Sequence, residues 1–400
     1  MRRIVKPAIF FVLLLTMSLT LLRPAYAADM AKAETQATAL KQLRLFKGVS
    51  ATDFDLDRAP TRAEALVMLI RVLGKETEAL NGDWTHPFTD VEPWAAKYVG
   101  YAYEKGLTKG VSGTEFGAGD ADSDMYLTFV LRALGYDDAA GDFVWDEPDA
   151  LATSTGILPS GVDTANFMRA DVALVSWAAL EAKTKDGSQT LSRKLMDAGV
   201  FVESAYTAAK QVASGDGGVA VSTFAELKAA VENQGISVVN IGSDIDIAGE
   251  LSFERENLVI YIKEGTTLTV SGEFIPVFCS VINDGVIVTS GTFDRGACPF
   301  INNGSVKVIT GGTASSGMSD THNYGAFVVD AGGNLFIERG TQFYNLGTLT
   351  NNGSVSINDG GSVYNTTGSI VNNGTIDLYT FFEGDIADIT GTGKLNDHRE

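Results

Sequence analysis

Apolar residues recur along this chain with two different periods, and the change from one to the other divides it. Up to about residue 203 the period is helical: Leu66, Leu69, Ile70 and Leu73 fall at i, i+3, i+4 and i+7. A similar pattern returns over 126–135, displaced by 61 residues from 65–74, and over 169–180, displaced by 107 from Arg62. Three such units predict a small helical repeat domain. Residues 204–220 are small, polar and Gly-rich and read as a linker. Residues 222–233 predict one short helix, with Phe224, Leu227 and Val231 apolar, placed to cap the open end of the second half.

Beyond that helix, short alternating strands are separated by turns such as Asn-Asp-Gly and Asn-Asn-Gly. Equivalent glycines are read at Gly265, Gly285, Gly304, Gly333, Gly353 and Gly374, spaced 20, 19, 29, 20 and 21 residues apart. The long interval is taken as an insertion around residues 313–324. A unit of this size cannot bury its own apolar face, whereas stacked neighbours can. Six or seven coils of a parallel β-helix are expected, with asparagines free to bond between coils. A β-roll or β-sandwich fits the same alternation. Cys279 and Cys298 each lie six residues before a marker glycine, so they should stack on adjacent coils about 4.8 Å apart. In-register parallel neighbours seldom meet disulfide geometry, which favours a buried pair of thiols.

Composition and charge narrow the function. Arg2, Arg3 and Lys6, an apolar run over 8–22, and Ala25-Tyr26-Ala27 form a secretory signal peptide over 1–27. No second long apolar run is present, so no membrane span is expected after cleavage. The net charge of −20 argues against nucleic acid. A grip on an acidic polymer must then be local, through a few placed cations. Two cysteines, no C-x-x-C and three scattered histidines leave no zinc site, and no cofactor is expected. Asp53, Asp55, Asp57 and Glu64 match alternate calcium-loop positions, but Arg58 stands where glycine is required. No metal is therefore expected there.

The candidate chemistry sits at one helix start, Pro60-Thr61-Arg62-Ala63-Glu64. Thr61 and Glu64 form a capping box. Arg62 opposes the helix dipole and needs another reason. An arginine beside free helix-start amides makes a seat for a carboxylate or phosphate; a solvated arginine, or one paired with Asp57, is the plainer reading. In the second unit Asp122 can cap but the arginine is gone. The third, Met168-Arg169-Ala170-Asp171, keeps the arginine and loses the cap. Lys47 and Lys109, each before a glycine, add charge to such pockets or end helices. Trp94 is a sugar-stacking platform or a core residue.

Phe88-Thr89-Asp90-Val91-Glu92-Pro93-Trp94-Ala95, the turn around Gly106-Leu107-Thr108-Lys109-Gly110, and Thr61-Arg62-Ala63-Glu64 resemble the S-layer homology (SLH) domains of bacterial surface proteins. The resemblance covers residues 36–203 as three copies, the third worn. It implies a pseudo-threefold all-α domain over 28–203 that binds acidic, often pyruvylated, secondary polymers attached to peptidoglycan. It also implies that Arg62, and by position Arg169, touch the polymer. The strand pattern over 221–400 is similar to the pectate-lyase-like β-helix superfamily. The expected architecture is thus multidomain α + β, an N-terminal SLH domain followed by a β-helix, on a secreted protein held at the bacterial cell surface. The final Lys394-Leu395-Asn396-Asp397-His398-Arg399-Glu400 holds no covalent sorting signal, so non-covalent anchoring is expected.

If the β-half were a polysaccharide-degrading lyase or glycoside hydrolase, Asp320 with His322 (in the expected insertion), Asp294 with Arg295, or Glu338 with Arg339 would carry it. No such cluster recurs at groove spacing, and the strands are mostly Ser, Thr, Asn and Gly. A structural or adhesive module is the favoured reading.

Overall fold

A computed structural model describes residues 24–50, 53–215 and 218–399. The basic and apolar part of the expected signal peptide lies outside the described residues. No helix among the described residues is long and apolar enough to cross a membrane. The chain forms two compact units that meet in sequence at Phe201 and Val202.

The first unit is helical: α1 (Pro24–Gln42), α2 (Arg62–Val72), α3 (Glu76–Asn81), α4 (Ala96–Glu104), α5 (Ser123–Ala133), α6 (Asp149–Ser154), α7 (Arg169–Glu181) and α8 (Leu191–Asp197). The three helices expected from the periodicity are α2, α5 and α7, and each packs on the other two. They are more than amphipathic. In α2 every residue from Ala65 to Ile70 is buried, while Leu73 at the C-cap is only half-buried. A helix apolar nearly all round belongs at the centre of a bundle. Helix α1 lies along α7 and buries Ala33, Ala37 and Leu40, its small residues permitting close approach.

The starts of the three central helices converge. Arg62 N–H donates to Gly119 O, Ala121 N–H to Pro60 O, Arg169 N–H to Arg58 O, and Ser123 Oγ to Thr164 O. Each central helix therefore begins against the loop that precedes another, which gives the unit its threefold character.

The second unit is a parallel β-solenoid. Three sheets of nine, eight and seven strands run its length, and strands pair in parallel with the strand three later in sequence except at the two ends, where Val219–Val221 pairs with Val238–Ile241 and Thr375–Leu378 with Lys394–Asp397. The stack is deeper than six or seven coils. The marker glycines begin at Gly265 and miss the coil built from Val238–Ile241, Ile245–Ile247 and Glu250–Glu254. Inward positions form continuous rows, such as Ile287, Val306, Phe327, Leu349 and Ile370, all 2 % exposed or less. Phe274 and Phe293 stack at 5.5 Å. Along one corner Asn283, Asn302, Asn323, Asn345 and Asn365 form a ladder, each Nδ2 donating to the next Oδ1 at 2.7–2.9 Å. Each of the first four also donates to a main-chain oxygen at 3.0 Å, so their amide nitrogens are well satisfied, while the Oδ1 of Asn283, first in the ladder, has no partner.

The register corrects the glycine alignment. Gly285 and Gly304 belong to one corner with Gly325, Gly347 and Gly368; Gly333, Gly353 and Gly374 belong to another. In both columns a Cβ would collide with main chain of the coil below, so each corner selects glycine independently. The 29-residue interval is a change of corner, and there is no insertion. Thr313–Ser315 and Thr321–Asn323 are regular strands.

Residues 204–220, read as a linker, instead hold most of helix α9 (Glu203–Ser214) and the start of strand Val219–Val221. Ala205, Ala208, Ala209 and Val212 give α9 a buried face at helical spacing, and it lies beside strand Val259–Ile262. Helix α10 (Phe224–Glu232) buries Leu227 and Val231 in the solenoid core. Arg255 ties down the end of α10, donating to Val231 O, Asn233 O and Ile236 O at 2.6–2.9 Å.

Candidate functional site: an arginine groove in the helical unit

At the start of α2 the Glu64 N–H donates to Thr61 Oγ1 (3.2 Å) and the Thr61 N–H to Glu64 Oε2 (2.8 Å). Arg58 grips the same carboxylate with two bonds of 2.9 Å and also pairs with Asp55 at 2.6 Å. The Arg58 guanidinium, then the cap, hold the Glu64 carboxyl down at about 2. A cation already occupies the place where calcium would sit, and no group of three or more metal-ligating side chains occurs among the described residues.

Arg62 is treated differently. It makes no ion pair among the described residues, with Asp57 or any other acid. Its guanidinium lies between two aromatic rings, 5.1 Å from the centre of Phe116 and 5.3 Å from that of Phe129. Its Nε has no acceptor. Burial pushes its pKa down to about 10, Asp122 and Asp90 offsetting part of the effect. The amide seat expected at the helix start is largely filled, since the Arg62 N–H is spent on Gly119 O. Any anion affinity here rests on side-chain cations.

Those cations converge in a groove of about 230 Å³ lined by Arg62, Lys109, Arg132, Phe129, Asp138 and Trp145. Arg132 clamps Asp138 with bonds of 2.9 and 3.0 Å, and Lys109 adds a third contact at 3.0 Å. Burial raises the Asp138 carboxyl, but the two cations outweigh it and hold it at about 2. Asp138 thus faces two cations at the groove wall, Arg62 being a third in the lining, with Asp137 touching Lys109 from outside at 3.4 Å. The groove is locally positive on a strongly acidic chain. Gly110 at its rim has φ +73°, and a Cβ there would collide with Phe88 and Glu115 O. Trp145 is 59 % exposed.

A second cleft, about 450 Å³, lies on the same Phe116–Gly119 segment and includes Thr61, Glu64, Asp90 and Trp94. Trp94 is 54 % exposed, so it is no core residue. Asp90 fixes the segment by accepting from Phe116 N–H (2.7 Å) and Gly117 N–H (2.8 Å).

The other sequence candidates fall elsewhere. Arg169 is only 5 % exposed; its Nε donates to Phe54 O at 3.0 Å and its Nη1 contacts Met68 Sδ at 3.6 Å. Burial depresses its pKa. Lys47 is bonded to Glu76 at 2.6 Å, which Arg71 also binds. Asp122 caps α5 through Met125 N–H (2.8 Å). At α7 the Met168 N–H is held by Asp171 Oδ2 instead. Arg132 and Trp145 were not singled out from sequence. Arg132 repeats Arg71 at the 61-residue offset, and Trp145 is an aromatic among acids outside any periodic stretch.

In the solenoid the enzyme candidates do not assemble. Asp294 accepts from Gly296 N–H (3.1 Å), while Arg295 turns inward and is completely buried. Asp320 and His322 lie in a regular coil rather than an insertion. Asp320 accepts from Gln342 N–H (3.1 Å), and burial raises its carboxyl. His322 is buried and stacks on Tyr344 at 4.6 Å. Asp294 and His322 belong to different sheets.

Residues 87–121 match the S-layer homology domain family. Among curated proteins the chain is 31 % identical over 181 residues to a "Cell surface protein" of Thermoanaerobacter kivui, covering 42 % of this chain and 23 % of that one. It is 33 % identical over 98 residues to an "Endoglucanase" of Bacillus sp. (strain KSM-635), covering 24 % of this chain and 10 % of that one. It is 25 % identical over 178 residues to a "Surface layer protein" of Brevibacillus choshinensis, covering 42 % and 16 %. The chain thus spans less than a quarter of the length of each of these relatives. It carries an S-layer homology domain in its helical unit, followed by a parallel β-solenoid.

Proposed function

We propose that the helical unit holds the protein to the cell envelope by binding an acidic secondary cell-wall polysaccharide, such as a pyruvylated one, in the Arg62 groove. The solenoid is then displayed as a structural or adhesive module. The protein is secreted and attached to the cell surface, as its S-layer homology domain and its surface-protein relatives indicate. The observation that carries the ligand assignment is the state of Arg62: desolvated, between two rings, without a carboxylate, and beside Lys109 and Arg132. A buried cation without a counter-ion is costly, and an incoming carboxylate relieves the cost by a bidentate, charge-assisted pair. Exposed Trp145 offers a ring to a sugar face next to that charge.

The test is co-sedimentation of the secreted chain with purified sacculi, with and without mild-acid removal of ketal-linked pyruvate. Arg62→Ala should weaken retention about 10- to 100-fold, the worth of one charged hydrogen-bonded pair of about 1.5–3 kcal/mol. Full retention by a folded Arg62→Ala variant defeats the assignment. Retention lost by Arg62→Ala but insensitive to pyruvate removal moves the ligand to another acidic glycan. Similarity to part of an endoglucanase favours a second reading, a surface-held polysaccharide-degrading enzyme. Release of reducing or unsaturated ends by the chain, abolished in Asp320→Ala, would establish it.

A further inference from the structure

Two buried thiols and one buried guanidinium in the solenoid take no part in the anchoring reading. Cys279 and Cys298 sit on adjacent coils, as their spacing requires, with Sγ atoms 2.9 Å apart and both free. The Cys279 N–H also points at Cys298 Sγ, 3.1 Å away. Adjacent parallel strands lie about 4.8 Å apart, inside the Cα separation that a disulfide spans. The two sulfurs are already closer than an ordinary contact between packed side chains. The seldom-met geometry that argues against a crosslink from sequence is here nearly in place.

We propose that Cys279 and Cys298 are an oxidisable pair that closes into an inter-coil disulfide when a dithiol-oxidising disulfide, small or protein-borne, reaches them outside the cell.

Access is from one side. Cys279 lines a cleft of about 460 Å³ whose other walls include Thr207 and Gln211 of α9, Phe278 and Pro299. Phe278, immediately before it, has φ +60° and is 51 % exposed at the rim. That backbone is strained for an aromatic residue and fixes where Cys279 points. In the exchange, Cys279 sulfur attacks the oxidant's disulfide, which releases one thiol and leaves a mixed disulfide. Cys298 sulfur then attacks the Cys279 sulfur and releases the second thiol. Two protein thiols are oxidised, one disulfide is reduced to two thiols, and both protons leave on the released thiols.

Arg295 suits the second step. Its guanidinium is 0 % exposed, lies 4.9 Å from the Phe300 ring centre, and has no acceptor on any of its three nitrogens. Burial lowers its pKa, an effect offset in part first by Asp294 and then by Cys298. An unpaired cation there attracts the negative charge that sulfur carries as it attacks. The Cys279 thiol itself is raised by its bond to Cys298 and then by burial, with Arg255 offsetting part of the effect. Oxidation should therefore be slow at neutral pH and quicken as the pH rises.

The experiment exposes the full secreted chain to oxidised glutathione at pH 7 and pH 9, then counts thiols after denaturation and maps peptides without reduction. The expected result is loss of both thiols together, a mass lower by two hydrogens, a Cys279–Cys298 linked peptide, and a solenoid melting several degrees higher. Cys298→Ser should stop at a glutathione adduct on Cys279, and Arg295→Met should slow closure of the adduct more than its formation. Two thiols that persist in folded protein overturn the proposal, provided that they react once it is unfolded. So do two separate glutathione adducts or crosslinks only between chains. Should Cys298→Ser misfold, the wild-type peptide map decides alone.

Discussion

Replacing Asn323 by alanine tests whether the asparagine ladder, rather than apolar stacking alone, holds the coils in register. Asn323 is completely buried and makes three side-chain bonds: it accepts from Asn302 Nδ2 (2.7 Å) and donates to Asn345 Oδ1 (2.9 Å) and to Thr348 O (3.0 Å). At about 1 kcal/mol net each, their loss costs about 3 kcal/mol; orphaned interior groups on Asn302 and Asn345 raise this to about 5 kcal/mol. Asn365, at the end of the ladder, accepts one such bond, from Asn345 Nδ2 at 2.7 Å. Asn365→Ala removes that one bond and leaves Asn345 Nδ2 its other, to Ser369 O, so it should cost only about 1–2 kcal/mol. All four tryptophans lie in the helical unit. Tryptophan emission in a urea titration thus reports that unit alone, while circular dichroism near 218 nm, to which both units contribute, adds the transition of the sheets. The Asn323→Ala variant should lower the dichroism midpoint and leave the emission midpoint in place. Equal effects of the two alanines would refute the ladder argument, and so would an emission transition that moves with the sheets.

Two further outcomes concern the helical unit. Because Glu64 is held at about 2, it stabilises the fold above its unfolded value of about 4.5, and that stability is lost as the pH falls from about 4.5 towards 2. Acid titration followed by tryptophan emission should show this loss, and Glu64→Gln should flatten it. Trp145→Ala should leave the thermal midpoint within about 1 °C, since the side chain is mostly exposed, yet weaken sacculus retention several-fold. Unchanged retention would remove the ring from the binding surface.

The features legible in the sequence were those that short-range chemistry dictates. Thr61 with Glu64 announces a helix start, and leucines at helical spacing announce the central helices. Asn-Gly turns between alternating strands announce coils. The features lost depended on which column a residue joins. Glycine is demanded at two corners of each coil, so a single list of glycines mixed two columns, created an insertion, and placed Asp320 and His322 on a loop that does not exist. Arg295 was read with Asp294 as an outward pair, because adjacent residues in Phe293-Asp294-Arg295-Gly296 carry no mark of the corner. Arg295 instead enters the core, its guanidinium 5.8 Å from the Phe293 ring centre and 4.9 Å from that of Phe300, and the chain turns just after it at Gly296, φ +49°. The linker reading of 204–220 gave weight to the glycines at its end over the alanines before them. The opposing cations of the groove come from Arg132 and Lys109, far from Arg62 in sequence, and only the 61-residue repeat connects Arg132 with Arg71.

That repeat also determines how many seats the helical unit offers. Ser123 occupies in the second copy the place of Arg62, and it is buried and bonded to Thr164 O, so one seat has no cation. Arg169 occupies that place in the third copy. Met68 stands there where Phe129 stands beside Arg62, and Phe54 corresponds to Phe116. With sulfur in place of a ring, Arg169 sinks onto the Phe54 carbonyl. Glu76 there carries the same two-cation clamp, from Lys47 and Arg71, that Asp138 carries beside Arg62, with the Tyr98 hydroxyl added, so it is the burial of Arg169 that removes this seat. On the proposed reading one groove remains, at Arg62. Three working seats on one polymer would bind by avidity, and losing one would weaken retention only in part. A single seat predicts the full weakening of about 10- to 100-fold from Arg62→Ala. It also predicts that Arg62→Ala/Arg169→Ala binds no more weakly than Arg62→Ala once the folded fraction is equalised, because Arg169→Ala acts on stability. Each variant is measured by sacculus titration alongside its urea midpoint. A folded Arg169→Ala variant that loses retention on its own would put a second working groove in the domain.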